Sequence, residues 1–143
     1  GGIANGNAML AAMILGADAV QVGTRFVASH EASSHLNFKQ KVIDIKEGET
    51  QLTLKELAPV RLIKNKFYND IQALYQQSAS REDLQKLLGR ARAKKGMFEG
   101  DLDEGELEIG QISGLIDDIL PAETIVNQMI TEYNEALSKI CNK

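Results

Sequence analysis

The chain has 143 residues, of which 43% are hydrophobic and 25% are charged. This composition excludes a disordered or fibrous chain and supplies material for one folded core. A net charge of -4 argues against nucleic acid as the main partner, and no apolar run is long enough to span a bilayer. The single cysteine, Cys141, cannot form an internal disulfide, so we expect a cytoplasmic protein.

The first elements of the chain predict an α/β unit. After the glycine-rich turn GGIANG, residues 7–15 carry apolar side chains at helical spacing, with Asn5 or Asn7 as the N-cap of that helix. The apolar run at 19–22 predicts a short buried strand that stops at Gly23. The order of loop, helix, loop and strand is typical of a crossover in a parallel sheet.

The remainder of the chain is expected to be mostly helical. Ser80 and Asp83 resemble a capping box, and Pro121 stands where a first helical turn accepts proline. The predicted elements are helices at 34–46, 66–75, 81–95 and from about 121 onward, short strands or extended linkers at 51–54 and 60–63, and loops at 96–114.

Two glycine turns carry the chemistry of this sequence, namely GGIANG and, after the predicted strand, VGTRF. Glycine lets a turn fold closely with positive φ, which leaves backbone N–H groups free to point at an anion. The Thr24 hydroxyl adds a side-chain group to the second turn. In (β/α)₈ barrels the loops after strands 7 and 8 commonly form one phosphate site, and the helix-sized spacing fits that pair. We predict a phosphate site, against the alternative that both turns only terminate elements.

The two turns, with VRLIKNKF and GDLDEGELEIGQISGLI, resemble the C-terminal part of the flavin-dependent nitronate monooxygenase (2-nitropropane dioxygenase) and enoyl-acyl-carrier-protein reductase II family. The similarity runs from Gly1 to about Ile130. The resemblance implies an α/β fold, the C-terminal fragment of a (β/α)₈ TIM barrel with a helical cap domain, mostly helical as an isolated chain. Residues 1–33 would form the last βα units with the FMN phosphate turns. Residues 34–143 would form the cap domain and the C-terminal helix that returns to the barrel.

The same resemblance implies a set of site residues. The FMN phosphate would be held, mostly by backbone N–H groups, by Gly1, Gly2, Gln21, Gly23 and Thr24. Gln111, in the GQ pair that follows the acidic stretch, is expected in the substrate pocket. The catalytic residues of the family lie upstream of the matching region, so we expect no catalytic residue and no metal ligand in this chain.

VRLIKNKF and VQVGTRFVASHEASSH are more similar to the enoyl-acyl-carrier-protein reductases than to the nitronate monooxygenases. The resemblance then implies a reductase of fatty acid synthesis that takes hydride from NADH or NADPH onto FMN and passes it to an enoyl thioester. Nitronate oxidation is the alternative, because the FMN turns are shared. A third hypothesis is an inactive fragment that self-associates through exposed apolar faces. The implied partners are a small-molecule or acyl-thioester substrate, an acyl carrier protein and a second copy of the chain.

Three other features have less specific interpretations. His30 and His35 are expected at the surface or at a helix cap. The acidic stretch EGDLDEGELEIG lacks the residue order of a calcium-binding EF-hand and is expected to be a solvated loop. The basic run of Arg90, Arg92, Lys94 and Lys95 is expected to support a helix C-terminus, with a landing site for an acidic carrier or a nucleotide phosphate as the alternative.

Overall fold

The computed structural model describes residues 1–141. It is mostly helical, with one small sheet. The elements are α1 (Gly6–Ile14), α2 (Thr24–Val27), α3 (Leu36–Asp44), β1 (Thr50–Thr53), β2 (Val60–Ile63), α4 (Lys66–Gln76), α5 (Arg81–Leu88), a π-helix (Lys94–Phe98), a 3₁₀ helix (Gln111–Leu115) and α6 (Ala122–Cys141).

The predicted strand at 19–22 is wrong, because these residues have no regular structure. A strand requires a neighbouring strand to accept and donate its backbone hydrogen bonds. Among residues 1–141 no segment pairs with residues 19–22, and the only sheet is formed by β1 and β2. Within the described residues, the apolar run therefore has no strand partner.

The sheet is an antiparallel hairpin, and a later segment makes an isolated bridge to its edge. Thr50 pairs with Ile63 and Thr53 with Val60. The Ile63 N–H donates to the Leu107 carbonyl at 3.0 Å and the Ile109 N–H donates to the Arg61 carbonyl at 3.1 Å, so residues 107–109 lie along the free edge of β2. The two segments left open as strands or linkers are thus strands, and the stretch predicted as loop makes one isolated bridge, Leu62 with Glu108, to their edge.

Several helix boundaries follow from local capping. The Asn5 side chain accepts a hydrogen bond from the Ala8 N–H at 2.9 Å, which confirms Asn5 as the N-cap of α1. The capping box at Ser80 is present. Helix α5 ends at Leu88 rather than near residue 95, because Gly89 adopts φ +63° and turns the chain out of the helix.

Helix α1 packs against α6 at an unusually close distance. Gly6 is buried, and a Cβ at this position would overlap the Met129 carbonyl oxygen and the Tyr133 nitrogen. The Gly6 N–H also donates to the Glu132 carboxylate at 2.7 Å. Glycine at this position is therefore required by packing between the two helices.

The buried apolar side chains form two separate clusters. The first joins the N-terminal segment to the rest of the chain and contains Ala4, Ala28, Phe38, Val42, Ile45, Ile63, Leu107, Ile109 and Ile116. The second is formed by the hairpin with α4 and α5 and contains Leu54, Leu62, Phe67, Ile71 and Leu84. None of the helices within residues 1–141 is both long enough and apolar enough to cross a membrane. The division into segments 1–33 and 34–143 stays a prediction.

Candidate functional site

Two of the predicted site residues, Gly2 and Gln111, line one open cavity of about 470 Å³. Gly2 adopts φ +77°, a conformation that favours glycine, and space beside it is open. Other lining residues are Lys46, Glu47, Thr50, Ile112 and Leu115. The cavity therefore combines an open backbone turn, one amide side chain, one residue of each charge and apolar surface, and a concave site with a few polar groups of this kind can hold a small molecule.

The second glycine turn forms the N-terminus of the short helix α2. Gly23 is its N-cap and Thr24 is its first residue, so the N–H groups of this turn have no acceptor within the helix. Within residues 1–141 no other part of the chain accepts a hydrogen bond from the N–H of Gly23 or Thr24. A Cβ at Gly23 would meet no neighbouring atom within 4 Å, which leaves room for a ligand at these donors.

The Thr24 side chain connects this turn to the cavity. Its hydroxyl oxygen accepts a hydrogen bond from the Gly110 N–H at 3.1 Å, directly beside Gln111. A Cβ at Gly110 would lie 2.5 Å from the same oxygen, so the close approach depends on glycine. The turn and the Gln111 segment are thereby held together.

Arg25 is a structural residue of the site that the sequence analysis missed. Its guanidinium is buried and pairs with the Asp118 carboxylate at 2.5 Å, and it also donates to the Asp118 carbonyl at 3.2 Å. The arginine in VGTRF could have been singled out as the one charge in an apolar stretch. Its partner could not, since it lies 93 positions away.

The other residues that were predicted to bind the cofactor do not line this cavity. Gly1 and Gln21 are exposed, and no hydrogen bond within residues 1–141 joins them to the other predicted site residues. Gly23 lines a different groove, with Phe26, Met97 and Phe98. The assignment of all five residues to FMN stays a prediction.

The N-terminus of α1 is already satisfied by groups of the protein. The Gly6 N–H donates to the Glu132 carboxylate, and the Ala8 N–H donates to the Asn5 side chain. A negative carboxylate at this position occupies the place where a phosphate would bind and would repel it. The backbone donors left free at the two predicted turns are therefore those of α2 and of the open turn at Gly2, and their role in binding a phosphate stays a prediction.

The two histidines lie outside this cavity. His35 is the N-cap of α3, where its ring nitrogen Nδ1 accepts a hydrogen bond from the Asn37 N–H at 3.1 Å. His30 is exposed. No group of three or more metal-ligating side chains occurs among residues 1–141. In the acidic stretch, Asp101 instead accepts hydrogen bonds from the N–H groups of Asp103 and Glu104.

The basic run is largely paired with nearby acidic side chains. Lys94 pairs with Glu99 at 3.2 Å and Lys95 with Asp101 at 3.0 Å. Arg92 donates to the carbonyls of Leu87 and Leu88, at the C-terminus of α5. The Arg92 contacts fit the expected support of a helix C-terminus, whereas the two lysines form local ion pairs instead.

The comparisons with known proteins give one family. A family model described as nitronate monooxygenase matches residues 1–132. The probable nitronate monooxygenase of Bacillus subtilis (strain 168) is 29% identical over 133 residues, which cover 92% of this chain and 38% of that protein. The probable nitronate monooxygenase of Staphylococcus saprophyticus is 28% identical over 140 residues, which cover 97% of this chain and 39% of that protein.

Solved structures show the same fold. FabK from Thermotoga maritima matches with a TM-score of 0.91 and 36% identity, over 99% of this chain and 45% of that one. A nitroalkane oxidase from Streptomyces ansochromogenes matches with a TM-score of 0.73 and 29% identity, over 98% of this chain and 40% of that one. The chain thus spans about two fifths of the length of the curated relatives it matches, 38% and 39%.

Proposed function

Because the chain belongs to the nitronate monooxygenase family, we propose that it forms part of an FMN-dependent, NAD(P)H-dependent enoyl-acyl-carrier-protein reductase. The observation that carries this choice is the likeness to FabK, whose TM-score of 0.91 and identity of 36% both exceed those of the nitroalkane oxidase. In this proposal we take FabK to be an enoyl-acyl-carrier-protein reductase II, the enzyme class that the sequence motifs resemble. The whole protein would be a cytoplasmic TIM-barrel enzyme to which this chain contributes the C-terminal part.

The residues of the chain have distinct roles in this proposal. The N–H groups at the start of α2 and the backbone at Gly2 would bind the FMN phosphate. Bound FMN would supply the hydride transfer from NADH or NADPH to the double bond of the substrate. The Gln111 amide would orient the polar end of an enoyl thioester, while Ile112 and Leu115 offer apolar surface to its acyl chain.

The phosphate-binding role is tested by titrating the chain with FMN and following flavin fluorescence, with light scattering as a check of mass. Gly2→Val places a β-branched side chain at φ +77°, so it should weaken FMN binding about tenfold or more. Gly16→Val is the matched control, since Gly16 also has positive φ, at +99°, in open space outside the cavity. Equal affinities of the two variants, or no binding by the unchanged chain, would contradict the proposal.

Nitronate oxidation is the second candidate, and it is supported by the names of the family and of the curated relatives. The two candidates differ in substrate and in electron acceptor. A protein that carries this chain within a complete barrel should reduce a crotonyl thioester with NADH. If it instead consumes oxygen with a nitronate and leaves the thioester unchanged, the reductase assignment is wrong.

A third candidate belongs to another class, an inactive chain that self-associates. It is supported by exposed apolar side chains on α6 and next to α1, among which Leu15 is 89% exposed and Ile130 is 49% exposed. A monomeric sample of this chain that binds flavin would exclude it. An acyl carrier protein and a second copy of the chain are the partners that we propose.

A further inference from the structure

Two neighbouring residues of the α2 turn hold the two ends of one cavity wall. We define this wall as residues 110–118, which include Gln111, Ile112 and Leu115 of the cavity lining. Thr24 accepts the hydrogen bond from the Gly110 N–H at one end of the wall. Arg25 binds both the carboxylate and the carbonyl of Asp118 at the other end.

Loss of the Arg25 contact would be costly because the arginine is buried, although the Asp118 side chain is 45% exposed. Arg25 is only 7% exposed, so its guanidinium is shielded from water and depends on its partner. Charge-assisted hydrogen bonds of this kind are stronger than neutral ones, and here they fix the backbone of Asp118 as well as its side chain. A shift of Arg25 would therefore also shift Asp118, the last residue of the wall.

The wall has little internal structure of its own. It contains one short 3₁₀ turn, with hydrogen bonds from Ser113 N–H to Gly110 O and from Ile116 N–H to Ser113 O, both at 3.0 Å. Short 3₁₀ segments have poorer hydrogen-bond geometry than α-helices. Ser113 is fully buried, and its hydroxyl makes no hydrogen bond within the described chain. The wall is therefore held by its two anchors together with the packing of Ile112 and Ile116 against the first hydrophobic cluster.

We infer that Thr24 and Arg25 are positioning residues that transmit occupation of the phosphate turn to the substrate wall carrying Gln111. The inference rests on the proposed function, because it requires a cofactor phosphate at the N–H groups of α2. A ligand at these donors restrains the backbone of the two residues whose side chains anchor the wall. Binding at the turn then orders the wall and prepares the cavity for substrate.

Amide hydrogen exchange of the whole chain, with and without FMN, tests this coupling. In the unchanged chain, saturating FMN should slow exchange of amides 111–116 about tenfold or more. Arg25→Met should abolish that slowing while FMN affinity changes by less than about threefold. Asp118→Asn should reduce the slowing of exchange by FMN. This second variant also tests the coupling if Arg25→Met does not fold. Arg25→Lys should retain part of the slowing that Arg25→Met loses, since lysine keeps a hydrogen-bond donor and a positive charge.

Arg92→Met is the matched control, because Arg92 also pairs with a carboxylate and donates to carbonyls, but at the end of α5. It should leave the effect of FMN on the wall unchanged. If FMN binds and the wall is not slowed, or is slowed equally in Arg25→Met, the inference is overturned while the proposed function stands. If the unchanged chain binds no FMN, both are overturned.

Discussion

Among the carboxyl groups of the described residues, Glu106 is the one whose pKa is changed most by its surroundings. Burial raises its pKa to about 7, the nearby Glu108 carboxylate adds to the rise, and Arg92 opposes it. The ordinary value is 4.5, so between pH 4.5 and 7 the native state binds more protons than the unfolded state. The free energy of unfolding should therefore fall as pH rises through this window and become independent of this group above it.

Glu106→Gln removes this titration. In the unchanged chain, the free energy of unfolding should fall between pH 5 and pH 8 by roughly 3 kcal/mol at most, from the size of the pKa change. Urea unfolding should show that Glu106→Gln is the more stable protein at pH 8 and lacks this fall. Glu108→Gln should make the fall smaller, because one cause of the raised pKa is removed. A fall of unchanged size in Glu106→Gln would mean that another group is responsible.

Among the elements, the contact between α1 and α6 depends on one glycine. Gly6→Ala would place a methyl group against the backbone of α6 and push the two helices apart. Overpacking of this kind costs about 1–3 kcal/mol, and we expect a loss at the upper end because the clash is with backbone. Thermal unfolding measures the effect. Gly1→Ala, which has open space, should leave the melting temperature unchanged.

Helix α5 is short and depends on its capping box. The Ser80 hydroxyl accepts from the Asp83 N–H at 3.2 Å, and the Asp83 carboxylate accepts from the Ser80 N–H at 3.2 Å. Ser80→Ala should lower the free energy of unfolding by about 1 kcal/mol. Ser138→Ala, at an exposed position inside α6, is the control and should cause no loss. Equal stability of both variants would show that α5 is held by packing alone.

The elements also show which features a single sequence can predict. Caps such as Asn5 and Ser80 use residues three positions apart, so their pattern is visible locally. The error at 19–22 has a different origin, because a strand needs a partner that local pattern cannot supply. For the same reason, local sequence could not predict that Arg25 pairs with Asp118, which lies 93 positions away. Gly2, predicted to bind the FMN phosphate, and Gln111, predicted in the substrate pocket, line the same cavity, and both roles stay predictions.

At the scale of the whole molecule, the exposed apolar surface has a direct consequence for the state in solution. Leu15 and Ile130 are large side chains left in contact with water. We expect the unchanged chain to form oligomers, and the double variant Leu15→Glu with Ile130→Glu to form smaller ones or a monomer. Light scattering across a concentration series measures this. Leu36→Glu, another exposed leucine at 67%, is the control and should not change the mass.

The second hydrophobic cluster is contiguous in sequence, since all of its core residues lie between Leu54 and Leu84. Such a unit has a low contact order, and units of low contact order form rapidly during folding. The first cluster must instead close long stretches of chain, from Ala4 to Ile116. A damaged variant of the α2 turn would consequently retain the hairpin, α4 and α5, and with them part of the helical circular dichroism signal. Helical content alone is therefore a poor quality control for samples of this chain, and ligand binding has to be measured directly.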